Sequence, residues 1–430
     1  MRQCSDQAPV GVHGYGPDTI CLFLRLVLVA GVSLRGACRV LGTIRPALGL
    51  SLAVPHWTTG RLWLLRLGHA VLTASLQQAG DWAWVIDHSV QIGRDKCLVI
   101  LGIRLAHLPE PGQSLRHQDM QLIALLPAGN WTSGDVDQAL EEASQRSGVP
   151  RVIVDDHGAD LCGGVALFQG RHPQTAEIYD AKHKAACLLK KRLDHDAGWR
   201  EFQSQVGKTR CAVQQTELAF LAPPGAKLKA RFMNLGPVLG WAMHVLAVLG
   251  QPSLVQQFAT AGRLKEKFGW IEGFAAELAQ WSQWQQVVDA AVTHANQQGV
   301  YRGSAGLLAK RFAQLGPLSD SARQLAAELL RFVRCQESQA RPGERLPASS
   351  EVLESCFGKF KQLEKQQSRG GFTQLLLGFG ALLADITTAT VRQAMQASGT
   401  ADVWAWAAKT LGVTLYAQRK LAYGGATKSG

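Results

Sequence analysis

The chain has 430 residues, of which 47% are hydrophobic and only 18% are charged. This balance excludes an intrinsically disordered chain and is enough for two or three domains with substantial cores. The net charge of +12 favours a polyanionic partner, nucleic acid first and an anionic membrane second, with a basic protein that lacks such a partner as the alternative. Nine cysteines without a C-x-x-C pair exclude a zinc ribbon and predict reduced thiols in the cytosol.

One apolar run resembles a membrane segment. It reads ICLFLRLVLVAG, residues 20–31, and carries Arg25 in its middle. The run is too short to span a bilayer and lacks the placement of a secretory signal. We therefore predict a soluble, cytoplasmic protein.

Residues 1–75 are predicted to form a helix-turn-helix-like DNA-binding domain. An apolar helix is followed by a tight turn, by a second helix that Ser33 can cap, and by a third helix that Thr58 or Thr59 can cap. Helix-turn-helix proteins present the front end of such a helix to the major groove. A plain helical packing module would look similar. The DNA contacts predicted from this block are Thr58, Thr59 and Arg61.

From residue 80 the pattern changes to strands. Two β-rich runs, WAWVIDHSVQI and CLVILGIRL, are joined by the hairpin-like GRDK, and MQLIALLPA follows. A helix then precedes the apolar strand RVIVD, and helix, strand and helix complete residues 80–195. A right-handed crossover would lay RVIVD beside the first strand. This order predicts an α/β fold with a mixed sheet.

Residues 196–345 are predicted to be a large all-α insertion. Its aromatic stretch FGWIEGFAAELAQWSQWQQVV repeats large apolar side chains at helical spacing. Such spacing favours core packing, with a base-stacking surface as the alternative. Residues 346–430 begin with the amphipathic helix SEVLESCFGKFKQLEKQQ. The large aromatic and aliphatic positions of the insertion are Trp270, Phe274, Leu278 and Trp281.

Three acidic residues form the candidate site. Asp87 lies on the first strand, Asp156 follows RVIVD, and Glu354 lies in the late helix. A set of carboxylates without His or Cys partners suits Mg²⁺ or Mn²⁺, and two such ions about 4 Å apart support phosphodiester chemistry. Lys361, two helical turns after Glu354, would contact a phosphate, and Lys359 is a further predicted DNA contact. Taken singly, each Asp is more often a turn residue, and Glu354 a solvated one.

With these residues in view, the chain resembles a bacterial insertion-sequence transposase of the Asp-Asp-Glu type. The resemblance rests on VIDHSVQIG, on VPRVIVDDHGADL and on SSEVLESCFGKFKQLEKQQSRGGF. It implies that Asp87, Asp156 and Glu354 are the metal ligands. It also implies that Glu354 and Lys361 form the Glu-x6-Lys half of a motif found in one large group of these enzymes.

Two of the ligands have competitors. Asp155 is the alternative to Asp156, which we prefer because it heads the DHGADL loop, and Glu351 is the alternative to Glu354. The Tyr and Arg expected ahead of the glutamate are absent, since Ser350 occupies the near position.

The same resemblance implies the fold and two supporting residues. It implies a ribonuclease H-like mixed sheet, with three antiparallel and two parallel strands, interrupted by the helical insertion. The stretch IYDAKHKAACLLKKRL is similar to a strand-then-helix with an Asp-x-x-His pair. This similarity places Asp180 and His183 near the site in a supporting role.

The implied activity is recognition of terminal inverted repeats, hydrolysis at the 3′ ends of the element and strand transfer into target DNA. Double-stranded DNA is then the partner, two Mg²⁺ or Mn²⁺ ions are the cofactors, and a homodimer or larger nucleoid-associated assembly is expected. One alternative is a ribonuclease H-like nuclease without strand transfer. The other is a transposase-derived DNA-binding protein that has lost catalysis.

Overall fold

The computed structural model describes residues 14–92, 95–225, 235–366 and 374–411, together with Leu421 and Tyr423. The chain divides into two compact units. The first comprises the described residues within 1–110, 114–177 and 350–430, and the second comprises those within 111–113 and 178–349. Residues 93–94 of the predicted GRDK turn and residues 367–373 of the SSEVLESCFGKFKQLEKQQSRGGF and GGFTQLLLG stretches lie outside the described residues.

A five-stranded mixed sheet organises the chain in the order β3-β2-β1-β4-β5. Strands β1 to β3 form an antiparallel meander, and β4 pairs with β1 in parallel. The predicted placement of RVIVD beside the first strand is confirmed. The strands are β1 (Trp82–Ile92), β2 (Asp95–Arg104), β3 (Gln121–Ala128), β4 (Val152–Asp155) and β5 (Ala176–Tyr179).

Helices cover both faces of the sheet in the first unit. The side chains of Trp82, Trp84 and Ile86 enter a core that also contains apolar residues of α4 (Ser133–Ser147) and α5 (Ala159–Arg171). Successive strand residues point to opposite faces, so the buried Ala83 and Val85 face the other way. On that other face α13 (Glu351–Lys365) packs against β1, and α3 (Trp57–Thr73) packs against β3.

The N-terminal helices are α1 (Pro17–Leu28), α2 (Leu34–Ala47) and α3. Ser33 caps α2 as predicted, since its Oγ accepts a hydrogen bond from the Gly36 N–H at 3.0 Å. The predicted cap of α3 is wrong. The helix starts one residue before Thr58, and His56 caps it by accepting from the Thr58 N–H through Nδ1.

Helix α3 is buried over most of its length. Trp63, Leu64, Leu65 and Leu67 are almost completely buried, and three C-terminal helices pack around the helix. These are α14 (Leu377–Leu382), α15 (Thr388–Ala397) and α16 (Thr400–Leu411). The third helix of the predicted DNA-binding block is therefore a core element of the first unit.

The second unit is helical and has its own core. Leu278 and Trp281 are buried in it, and Trp270 and Phe274 pack against it. The prediction of core packing for this stretch is confirmed. Its helices are α6 (Ala181–Leu193), α7 (Ala197–Val213), α8 (Gly236–Gly250), α9 (Ala261–Phe268), α10 (Ala275–Gln298), α11 (Ser304–Ala313) and α12 (Asp320–Glu337).

The second unit begins and ends at adjacent points. The Ala181 N–H donates to the Ala348 carbonyl at 3.1 Å, so the start of α6 lies against the segment that leaves the unit. A short bridge between Val300 and Leu346 secures that returning segment. No described helix is long and apolar enough to cross a lipid bilayer.

Helices α3 and α14 approach each other closely at Gly68. A Cβ on Gly68 would lie 1.7 Å from the Leu377 carbonyl oxygen. Because both partners are backbone, Gly68→Ala should lower the free energy of unfolding by ~3 kcal/mol, the upper end of the usual cost of overpacking. Denaturant titration measures the effect. The matched control is Gly42→Ala at an exposed site in α2 with open space around it, where a gain of ~0.5–1 kcal/mol is expected.

A buried histidine in the second unit generates the second prediction. His294 in α10 is 1% exposed, and neither ring nitrogen has a hydrogen-bond partner among the described residues. Burial, followed by the Arg311 charge, lowers its pKa to about 4. Between the unfolded pKa of ~6.5 and this value, only the unfolded chain gains the proton. The free energy of unfolding therefore decreases as the pH is lowered through this range, by up to ~3 kcal/mol.

Unfolding experiments between pH 7 and pH 4 test this. His294→Leu should flatten the acid-side loss relative to the wild type, whereas His244→Leu at an exposed position of α8 should retain it. Identical pH profiles for the wild type and His294→Leu would contradict the assignment.

Candidate metal centre on the sheet

One predicted ligand, Asp87, lies on β1, and another, Asp156, follows the neighbouring parallel strand β4 by one residue. The register pairs Ala83 with Val152, Trp84 with Ile153 and Val85 with Val154. Asp87 and Asp156 lie two residues beyond the last of these pairs. A register that continued through them would bring the two carboxylates together, at the ~4.8 Å spacing of paired strands.

The register also separates Asp156 from its competitor Asp155. Ile153 points into the core beneath α4 and α5, and alternation places Asp155 on that same face. Val154 shares the opposite face with Val85 and Asp87. Asp156 follows the end of the strand, and its charge acts on His88, so its position on the face of Asp87 stays a prediction.

A tight loop holds Asp156 just beyond the strand. Its Oδ1 accepts a hydrogen bond from the Gly158 N–H at 2.8 Å, the pattern of an Asx turn. Between them His157 adopts φ +58°, in the left-handed region that non-glycine residues rarely enter. The side chain of Asp156 is partly exposed.

Glu354 lies in α13, which packs against β1. The buried stripe of this helix includes Leu353, Phe357 and Phe360, as predicted. Glu354 borders the stripe and is partly buried, whereas Glu351 is exposed. Helix α13 packs against β1, and the burial pattern favours Glu354 over Glu351 as the residue nearer the sheet; the approach of Glu354 to Asp87 stays a prediction.

Asp155 has a different environment from Asp156. It is fully buried, and its Oδ1 accepts from the His157 N–H at 2.7 Å. Burial raises the pKa of Asp155, and the neighbouring Glu177 carboxylate on β5 raises it further. A buried carboxyl beside another carboxylate favours its neutral form.

His88 belongs to the face opposite to Asp87. Its Nε2 lies 3.0 Å from Oδ2 of Asp160 in the first turn of α5. Burial lowers the pKa of His88, and the Asp160 charge acts in the opposite direction. Sequence reasoning did not identify this pair. The alternation of side chains along β1 could have predicted it, because it places His88 on the face opposite to Asp87, where α5 and Asp160 lie.

The predicted DNA contacts differ in their accessibility. Thr58 is exposed and Thr59 partly exposed, while the Arg61 guanidinium donates to the Gln374 side chain at 3.4 Å. Burial lowers the pKa of Arg61. Arg61 is thus engaged within the protein. Of the three DNA contacts predicted in α3, Thr58 and Thr59 in its first turn are the ones that remain accessible to solvent.

The two lysines of α13 also differ. Lys359 is partly buried, and its Nζ lies 3.0 Å from Nε2 of His117. Burial, followed by the Lys359 charge, lowers the pKa of His117. Lys361 is exposed on the same side of the helix as Glu354, two turns later, and is the better placed of the two for a phosphate.

The two predicted supporting residues belong to the second unit. Asp180 is 1% exposed and caps α6, since its Oδ1 accepts from the His183 N–H at 2.6 Å. This cap explains the Asp-x-x-His spacing as a helix start. A role of Asp180 and His183 near the carboxylates stays a prediction.

Comparison with known proteins adds no family assignment. A scan against protein-family models and a search of curated proteins found no match to this sequence. The interpretation of the site therefore depends on its own geometry.

The predicted register can be tested directly by cross-linking. In a double variant with Asp87→Cys and Asp156→Cys, a short bifunctional thiol reagent should join the two positions, and peptide mapping by mass spectrometry would identify the product. The control pair is Asp87→Cys with Asp155→Cys, which lies on the opposite face and should react far less. Equal yields in the two pairs would contradict the assignment of faces.

Proposed function

We propose that the chain is a metal-dependent DNA transposase of the Asp-Asp-Glu type, with Asp87, Asp156 and Glu354 as its metal ligands. One observation carries the proposal. The parallel pairing of β1 with β4 runs to within two residues of Asp87 and Asp156, and α13, which carries Glu354, packs against β1; this supports a shared site for the three carboxylates.

The sheet supports a ribonuclease H-like catalytic domain. An antiparallel meander, β1 to β3, is extended at the other edge of β1 by the parallel strand β4 and then by β5. A mixed sheet with an antiparallel meander and the parallel strand β4 supports the fold that the resemblance implies. The long helical stretch between β5 and α13 corresponds to the implied insertion.

The donor set fits the metal that this chemistry uses. Asp87, Asp156 and Glu354 supply only carboxylate oxygens, and all three are partly exposed. Hard oxygen donors in an accessible site suit Mg²⁺ or Mn²⁺. When bound, two such ions would activate the attacking oxygen and stabilise the leaving oxygen of a phosphodiester.

The remaining contribution of the chain is to position DNA. The net charge of +12 supplies phosphate contacts whose strength falls steeply with salt. Exposed Lys361 would hold a phosphate two helical turns from Glu354 as a point charge. Because transposition joins two element ends, a homodimer or larger assembly on DNA is part of the proposal.

Substitution of the carboxylates tests the proposed chemistry. Asp87→Asn, Asp156→Asn and Glu354→Gln should each reduce Mg²⁺-dependent cleavage at least a hundredfold, because each removes a charged metal ligand, while DNA affinity stays within about twofold. The substrate is DNA carrying the sequences that flank the gene, and pre-cleaved ends assay strand transfer.

The competing ligands provide matched controls. Glu351→Gln is expected to retain cleavage, since Glu351 is the exposed neighbour of Glu354. Cleavage without any joined product would favour a nuclease. Specific DNA binding without cleavage in the wild type would favour a transposase-derived binding protein. Normal cleavage in any of the three carboxylate variants would remove that residue from the site.

The lysine contact has its own test. Lys361→Gln should weaken binding to all DNA sequences alike and reduce the slope of log affinity against log salt by about one. Lys310→Gln, which changes an exposed lysine in the second unit, is the control and should leave the slope unchanged. An unaltered slope in Lys361→Gln would exclude a phosphate contact there.

A further inference from the structure

A second cluster of side chains that can bind a metal lies near the buried Asp155, on the side of the sheet opposite to Asp87. It consists of His157 in the loop after β4, Cys162 in the first turns of α5, and Glu177 on β5. Their ligand atoms all lie within 4.8 Å of one another, and His157 Nε2 is 3.1 Å from Glu177 Oε1. Three separate elements of the first unit thus converge on one point.

A fully buried carboxylate adjoins this cluster. Asp155 is 0% exposed, and its Oδ2 has no hydrogen-bond donor among the described residues. Its Oδ1 accepts from the His157 N–H at 2.7 Å, so Asp155 adjoins the cluster, although only His157, Cys162 and Glu177 have ligand atoms that all lie within 4.8 Å of one another. A buried anionic oxygen without a donor is costly unless a cation or a proton compensates it.

The spacing of the cluster matches a tetrahedral ion after small side-chain adjustments. Bonds of ~2.0 Å to nitrogen or oxygen and ~2.3 Å to sulfur place ligand atoms ~3.3–3.8 Å apart around Zn²⁺. Imidazole and thiolate donors select zinc over magnesium. His157 is 36% exposed on its side chain, which gives an ion a route from solvent.

We propose that His157, Cys162 and Glu177 bind one Zn²⁺ ion, with Asp155 as the fourth ligand. Cys162 binds as the thiolate and releases its proton to solvent. The site is distinct in chemistry from the carboxylate set of Asp87, Asp156 and Glu354, which contains no sulfur or nitrogen donor.

Such an ion would have a structural role. Asp155 and His157 flank Asp156, so two ligands of one ion would fix the loop on both sides of that carboxylate. The left-handed backbone of His157 would then be held by a bond to the metal in addition to its contact with Glu177. The zinc site itself does not depend on the proposed transposase activity.

The metal-free alternative is a set of protons in place of the ion. A protonated Asp155, a protonated His157 and the Cys162 thiol would then all donate to Glu177. Both the zinc ion and the set of protons would satisfy Glu177, but only the zinc-bound arrangement gives a metal affinity that depends on the Cys162 thiolate.

The experiment uses the full chain, stripped with a chelator and desalted. Titration with Co²⁺ should give the absorption of a tetrahedral thiolate complex with one ion per chain, and Zn²⁺ should displace it in competition with a chromophoric chelator. Cys162→Ser and His157→Ala should each lower Zn²⁺ affinity at least tenfold. The matched control is Cys211→Ser, at an exposed cysteine of the second unit, which should bind Zn²⁺ as the wild type does.

Two results would overturn the proposal. One is the absence of a thiolate–Co²⁺ band in the folded wild type, and the other is an equal Zn²⁺ affinity in the wild type and in Cys162→Ser. The outcome is separable from the proposed function, because Asp87→Asn should lose cleavage but bind Zn²⁺ normally. A failed metal titration would overturn the zinc site alone, because Mg²⁺-dependent cleavage by the wild type and its carboxylate variants is measured separately.

Discussion

The parallel pairing of β1 with β4 is the constraint on which the rest of the site depends. The two strands are separated by 59 residues of the chain, yet their backbone hydrogen bonds fix Val85 beside Val154. A shift of one residue would exchange the two faces of β4 and put Asp155 where Asp156 now lies. The register of β4 therefore buries Asp155 on the side of α4 and α5 and leaves Asp156, one residue beyond the strand, as the proposed partner of Asp87.

Much of this arrangement follows from local sequence. The three meander strands are long and rich in β-branched and aromatic residues, and RVIVD is the short apolar run typical of a strand covered on both faces. Right-handed crossover then leaves one position for RVIVD, beside β1. The capping of α2 by Ser33 and the buried stripe of α13 follow equally from local patterns.

Other features depend on contacts between distant segments and cannot be predicted from local sequence patterns. Thr58 and Thr59 resembled caps but lie inside the first turn of α3, which His56 caps, and the burial of α3 is decided by helices more than 300 residues later. The sequence predicts Arg61 as a DNA contact, but in the fold its guanidinium donates a hydrogen bond to the Gln374 side chain. The grouping of His157 and Cys162 with Glu177 required the neighbouring strand β5. The eight cysteines in the described part of the chain are all free.

The hydrogen bond between Ala181 and Ala348 shows that the helical unit leaves and returns at one place, and this has a consequence for biosynthesis. At ~5–20 residues per second, a ribosome needs roughly 10–30 s to add the residues of the second unit before α13 emerges. Throughout that interval the apolar side of β1 with Ala83 and Val85 has no α13 to cover it. The nascent protein thus carries an uncovered sheet and an incomplete set of acids, which makes this interval the step at which a chaperone would have most to protect.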